Sequence, residues 1–193
     1  MIFLKIKKNA ETMASRKLKM TLLVSFLIFG VSVENAIAHD DLSATAELVP
    51  KSGSAVSGTL KLIQLSADKV LVTGMVEGLS PGKHGFHIHV NNNCDSPDAM
   101  SAGGHFNPTG NHHGSSRDGE HHLGDLGNIE ADGRGQAKIN IEIHGVTVAL
   151  IGMNSIAERS LIIHANPDDF SDPAGNSGAR VACGEIEPDM MRM

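Results

Sequence analysis

The chain has 193 residues, 40% of them hydrophobic and 20% charged, with 16 Lys+Arg against 22 Asp+Glu and a formal net charge of −6. That is enough apolar surface for one globular core and excludes a mainly disordered chain. The lack of Trp and Tyr, with aromatics at only 3%, excludes stacking platforms for bases or sugars. Eleven histidines and 21 glycines point instead to metal chemistry on a turn-rich fold.

The N-terminus reads as an export address. Lys5, Lys7, Lys8, Arg16, Lys17 and Lys19 precede an apolar run of 14 residues from Met20 to Val33, and Ala36-Ile37-Ala38 has the small-x-small pattern of a cleavage site. The run is shorter than the ~20 residues of a membrane span. The sequence therefore predicts a signal peptide over 1–38 and a single domain over 39–193, periplasmic or secreted, with no membrane association after cleavage. Residues 1–38 hold six of the 16 basic and two of the 22 acidic groups, so the remainder carries 10 against 20, a net charge of −10. Such a domain is expected not to bind nucleic acid. Cys94 and Cys183, two cysteines in an exported chain, read as one disulfide.

From residue 44 the pattern is β, with period-2 alternation between frequent turns. Expected strands are 44–49, 58–65, 69–77, 85–90, 137–143, 161–164 and 181–186, the clearest being 137–143, where Ala137, Ile139, Ile141 and Ile143 share a face. Seven or eight short strands without a long amphipathic helix predict an antiparallel sandwich or barrel. Two stretches break the rhythm and are expected as loops, 91–128 and 165–179. A loop as long as the first implies function or something that holds it.

His87 and His89 sit two apart on an expected strand, which aims both imidazoles to one face. Alone, that pair fits a satisfied core pair as well as half of a metal site. His105, His113, His122 and Asp125 follow in the long loop at spacings of 8, 9 and 3. Three His and one Asp make a closed tetrahedral set suited to structural Zn²⁺, whose binding would order the loop. His164 ends the apolar run Leu161-Ile162-Ile163, and Arg180 lies three residues before Cys183.

Together, "HGFHIH" (84–89), "SAGGHFNP" (101–108), "HHLGDLGNI" (121–129), "IIH" (162–164) and "GNSGARVACG" (175–184) resemble the Cu,Zn superoxide dismutase family, in its bacterial periplasmic form. The resemblance implies an eight-stranded antiparallel Greek-key β-barrel with two long metal-holding loops. It implies one copper on His87, His89, His105 and His164, and one zinc on His105, His113, His122 and Asp125, with His105 shared. It further implies Asp168 as a carboxylate linking the two sets, Arg180 as the group that holds the anionic substrate, and a Cys94–Cys183 disulfide. The implied reaction is disproportionation of superoxide to O₂ and H₂O₂, with Arg180 and His105 as catalytic residues, and a homodimer is compatible with it. The alternative on the same fold is a non-catalytic metal carrier. His84 is expected in a structural hydrogen-bonding role, and His112, His121 and His144 outside the site. The ten residues between Cys94 and His105 are more than in eukaryotic members, and the 168–180 stretch is short.

Overall fold

A computed structural model describes residues 42–117 and 119–191. The expected signal peptide lies outside the described residues. Eight strands follow in order: β1 Ser43–Pro50, β2 Ser57–Ser66, β3 Lys69–Glu77, β4 Gly82–His89, β5 Asp125–Ala131, β6 Ala137–His144, β7 Ser160–His164 and β8 Arg180–Pro188. Two 3₁₀ turns, Met100–Ala102 and Asp189–Met191, are the only helical elements among the described residues.

All pairings are antiparallel and run β5-β4-β7-β8-β1-β2-β3-β6. The end strands β5 and β6 face each other across the seam of a nearly closed barrel, and the β3-to-β4 and β6-to-β7 connections cross from one half of the sheet to the other. This is the predicted all-β, eight-stranded architecture.

Alternation puts Leu60, Leu62, Val70, Val72, Ile139 and Ile186 inside. On β6, Ala137, Ile139 and Ile143 are buried and Ile141 partly so, while Lys138, Asn140 and Glu142 are exposed. Two strands depart from the one-sided pattern. The last six residues of β4 are all buried, as is the whole of β7. On β4, Phe86 and Ile88 enter the barrel core, whereas His87 and His89 face outward beneath the loops. On β7, Leu161 and Ile163 enter the core, and Ile162 packs outside it in a small cluster with Cys94, Ala99, Ala102 and Cys183.

One boundary is corrected. The loop expected to run to residue 128 ends earlier, because β5 begins at Asp125 and pairs with β4, His87 opposite Asp125. The rest of that loop is pinned across β4: the Ile88 N–H donates to the Gly124 carbonyl at 2.8 Å, and the Phe106 N–H to the Ile88 carbonyl at 2.8 Å. Cys94 and Cys183 form a disulfide, as predicted, and close a loop with a sequence separation of 89.

Candidate metal centre

The outward face of β4 carries His87 and His89, and the end of β7 carries His164. The β4–β5 register shifts between Gly85 and His87, and the β7–β8 register between Ile163 and His164. Bulges at these points re-aim the side chains at the strand ends. The loop folds back so that His105 bridges to His89. Ring centroids then lie 4.1 Å (His87–His105), 4.9 Å (His89–His105) and 4.9 Å (His87–His164) apart.

Two four-residue donor sets result, His87/His89/His105/His164 and His105/His113/His122/Asp125, and each could hold a metal ion. His105 belongs to both. Asp125 Oδ1 lies 2.8 Å from His105 Nδ1, 2.9 Å from His113 Nδ1 and 3.2 Å from His122 Nδ1. The last two nitrogens make no aligned hydrogen bond with it or with any other group. Three ring nitrogens crowded on one carboxylate oxygen, two of them without an aligned hydrogen bond, are what a shared ion requires.

The buried ring atoms without a partner are His87 Nδ1, His89 Nε2, His164 Nε2, His113 Nδ1 and His122 Nδ1. All five belong to the two sets. Orphaned buried polar atoms are costly, about 1–3 kcal/mol each, unless an ion takes the lone pair. The opposite ring nitrogen is anchored in four of the five. His89 Nδ1 donates to the Gly103 carbonyl at 2.9 Å, His164 Nδ1 to the Gly178 carbonyl at 3.2 Å, and His87 Nε2 and His113 Nε2 to Asp168 at 2.8 and 3.0 Å. Such partners fix the tautomer that presents a lone pair to a metal. The donor chemistry fits copper on four imidazoles and zinc on three imidazoles with one carboxylate.

Asp168 therefore accepts from one residue of each donor set, His87 and His113. Sequence reasoning missed what holds Asp168. Asn128, on β5, brackets its backbone: the Asp168 N–H donates to Asn128 Oδ1 at 2.7 Å and Asn128 Nδ2 to the Asp168 carbonyl at 2.9 Å. Gly175 leaves it room, since a Cβ there would overlap Asp168 Oδ1 and come within 2.7 Å of His113 Nε2. The glycine-rich 175–178 run hinted at a close approach, but nothing in the sequence marked Asn128.

The remaining histidines fall outside both sets. His84 is buried between the His164 and Ser80 carbonyls, each 2.8 Å from a ring nitrogen, the expected structural role. His112 and His144 are exposed, and His121 contacts the Gly119 carbonyl. Arg180, half-buried at the start of β8, donates from Nη1 to the Ala99 carbonyl at 2.8 Å and from Nη2 to the Gly103 carbonyl at 2.7 Å. It makes no ion pair among the described residues.

Burial drives His87 down to about 4 against the pull of Asp168, and drives His164 down to about 3. Burial and then the Arg180 charge hold His89 well below its usual value. Burial also opposes a proton on His113, but Asp125 and Asp168 outweigh it and lift the group to about 9. Both carboxylates stay far below the ordinary range despite burial, through their histidine partners.

These shifts predict how the chelated, metal-free protein responds to pH. The lowered histidines His87, His89, His164 and, through burial, His122 bind more protons unfolded than folded, so stability falls as pH drops from about 6.5 toward 3. The raised His113 contributes fully below 6.5 and loses its contribution as pH rises through about 9. The melting midpoint in excess chelator should peak near neutrality and fall more steeply on the acid side; a flat profile from pH 7 to 4 would contradict the buried neutral imidazoles.

A barrel carrying two donor sets joined through one imidazole defines a dinuclear metalloprotein. Residues 56–186 match the family model described as copper/zinc superoxide dismutase. The chain is 42% identical over 145 residues to "Superoxide dismutase [Cu-Zn] 2" of Brassica juncea, covering 72% of this chain and 93% of that protein. The chain belongs to the Cu,Zn superoxide dismutase family, whose members bind copper and zinc.

Proposed function

We propose that the chain is a superoxide dismutase that works outside the cytoplasm by redox cycling of copper. The observation that carries this reading is the His105 imidazole shared by two complete donor sets. When bound, copper on His87, His89, His105 and His164 supplies one-electron chemistry, and zinc on His105, His113, His122 and Asp125 supplies fixed charge and holds the loop. One superoxide gives up an electron and leaves as O₂; a second takes up that electron with two protons and leaves as H₂O₂.

The residues of the chain provide the rest. His105 Nδ1 is committed to the Asp125 side, which leaves Nε2 facing the other set as the atom that takes up a proton between the half-reactions and hands it to the departing product. Water supplies the second proton. The His105 side chain is only 5% exposed, yet Nε2 is not among the fully buried unpartnered ring nitrogens, so solvent can reach the atom that takes up the proton. Arg180 keeps N–H donors beyond those spent on Ala99 and Gly103, and these bind the small anion by charge-assisted hydrogen bonds. Both donor sets come from one chain, so a homodimer is compatible with the site but not needed to complete it.

Export rests on the 1–38 leader pattern and agrees with a disulfide in an oxidising compartment. A periplasmic or secreted enzyme of this kind would protect the cell envelope from superoxide. The test is dismutase activity of the processed chain with copper and zinc quantified in the same sample. About one of each per chain with cyanide-sensitive turnover is expected. Both metals bound without turnover would establish a carrier and overturn the catalytic reading.

A further inference from the structure

We propose that Ser96 and Ser101 form a clasp that positions Arg180; the inference rests on the reading of Arg180 as the anion-binding group. Both carbonyls that hold the guanidinium, Ala99 and Gly103, belong to the ten residues between Cys94 and His105. The disulfide fixes only the beginning of this excursion, five residues before Ala99. Something else must aim the Ala99 carbonyl.

Backbone bonds begin this, the Ala99 N–H donating to the Ser96 carbonyl at 3.0 Å and the Ala102 N–H to the Ala99 carbonyl at 3.2 Å, and side chains of the excursion lock the turn that makes them. The Ser101 N–H donates to Ser96 Oγ at 2.9 Å and the Ser96 N–H to Ser101 Oγ at 3.1 Å. The Ser96 hydroxyl donates to Ser101 Oγ at 3.1 Å, and the Ser101 hydroxyl donates onward to the Asn93 carbonyl at 3.0 Å. Every hydroxyl proton in this network is thus used once. Inside the clasp, Ala99 is fully buried and left-handed, with φ of 57°. A non-glycine residue holds that conformation only where its surroundings fix it.

The Gly103 carbonyl extends the clasp into the metal centre, because it also accepts from His89 Nδ1 at 2.9 Å. One carbonyl therefore sets both the guanidinium and a donor imidazole. Gly103 has φ of 77°, and a Cβ there would lie 2.7 Å from Val90 Cγ1, so its path is fixed by close packing. On the outer side the Ser52 N–H donates to the Pro97 carbonyl at 2.7 Å, tying the excursion to the turn after β1.

The experiment uses metal-loaded protein carrying Ser101→Ala, alone and combined with Arg180→Ala. Dismutation rate is measured across ionic strength, and azide serves as the probe anion. Ser101→Ala should slow dismutation about tenfold, in line with misplacement of a binding group, and weaken azide binding in parallel. Copper and zinc contents should not change. In the Arg180→Ala background, Ser101→Ala should have no further effect, since its action runs through the guanidinium. A normal rate in Ser101→Ala beside a slow Arg180→Ala, or equal losses from Ser101→Ala in both backgrounds, would overturn the clasp alone. A normal rate in Arg180→Ala would overturn the role of Arg180 and the clasp with it. Should Ser101→Ala fail to load its metals, Ser96→Ala decides by the same criteria, since it leaves the Ser101–Asn93 hydrogen bond in place.

Discussion

Asp168→Ala is expected to weaken retention of both metals at once, by 10- to 100-fold or more in affinity. The carboxylate is fully buried, and each oxygen accepts from a different donor set: Oδ2 from His87 Nε2 at 2.8 Å, Oδ1 from His113 Nε2 at 3.0 Å. Loss of an outer partner of a metal-binding imidazole typically costs 10- to 100-fold in affinity. Here two imidazoles lose theirs together, and two buried N–H groups are left unpaired at about 1–3 kcal/mol each. Each ring can recover by moving its proton to Nδ1, but that is the atom each needs for the ion.

Asp168→Asn should fare little better. Its carbonyl can accept from one ring only, and its NH₂ would face the N–H of the other. Chelator competition on the purified protein, read separately for copper and zinc, measures the effect. Loss of zinc with copper affinity unchanged would show that the link from Asp168 to His87 carries no weight.

How much of this centre was legible in the sequence depended on whether geometry was local. The His87/His89 pair follows from the two-residue period of a strand, and β4 keeps that period up to His89. His105, His113, His122 and Asp125 could be grouped by residue type because a loop that long needs an organising ion. The strand β5 was not legible. Its first residue, Asp125, is a donor of the second set, and Gly127 with φ of 80° interrupts the period-2 signal. Asn128 was hidden for the same reason, since its bracket around Asp168 spans 40 positions. Arg159 is another long-range case. It lies 3.8 Å over the Phe106 ring and donates to the Val90 carbonyl, so it packs the loop against the barrel. The carbonyls of Ala99, Gly103 and Gly178 leave no trace in residue identity at all. They depend on backbone path alone.

The division between Arg180 and the metal sets gives the second large effect. Arg180→Ala is expected to cut the dismutation rate by about 10- to 100-fold, within the range of electrostatic focusing on association, while copper and zinc contents stay near those of the parent. The chain is net negative, −6 overall, so attraction of an anion must be local. Arg180 supplies that local field: after burial, its charge is the next cause that depresses His89, and behind burial and the neighbouring His87 and His105 it also depresses His164, so it reaches the donor set where copper is expected. No carboxylate pairs with it among the described residues. Asp98 is the acidic group whose charge it feels, and that residue is exposed. Screening by salt weakens such a field, so the parent rate should fall with ionic strength and the Arg180→Ala rate should hardly respond. Arg180→Lys separates charge from geometry. An ammonium keeps the sign of the field but cannot span the Ala99 and Gly103 carbonyls while offering a planar fork to the anion. Its rate should lie between the other two, with the salt dependence retained. Equal rates and equal salt dependence in all three proteins would remove Arg180 from the reaction.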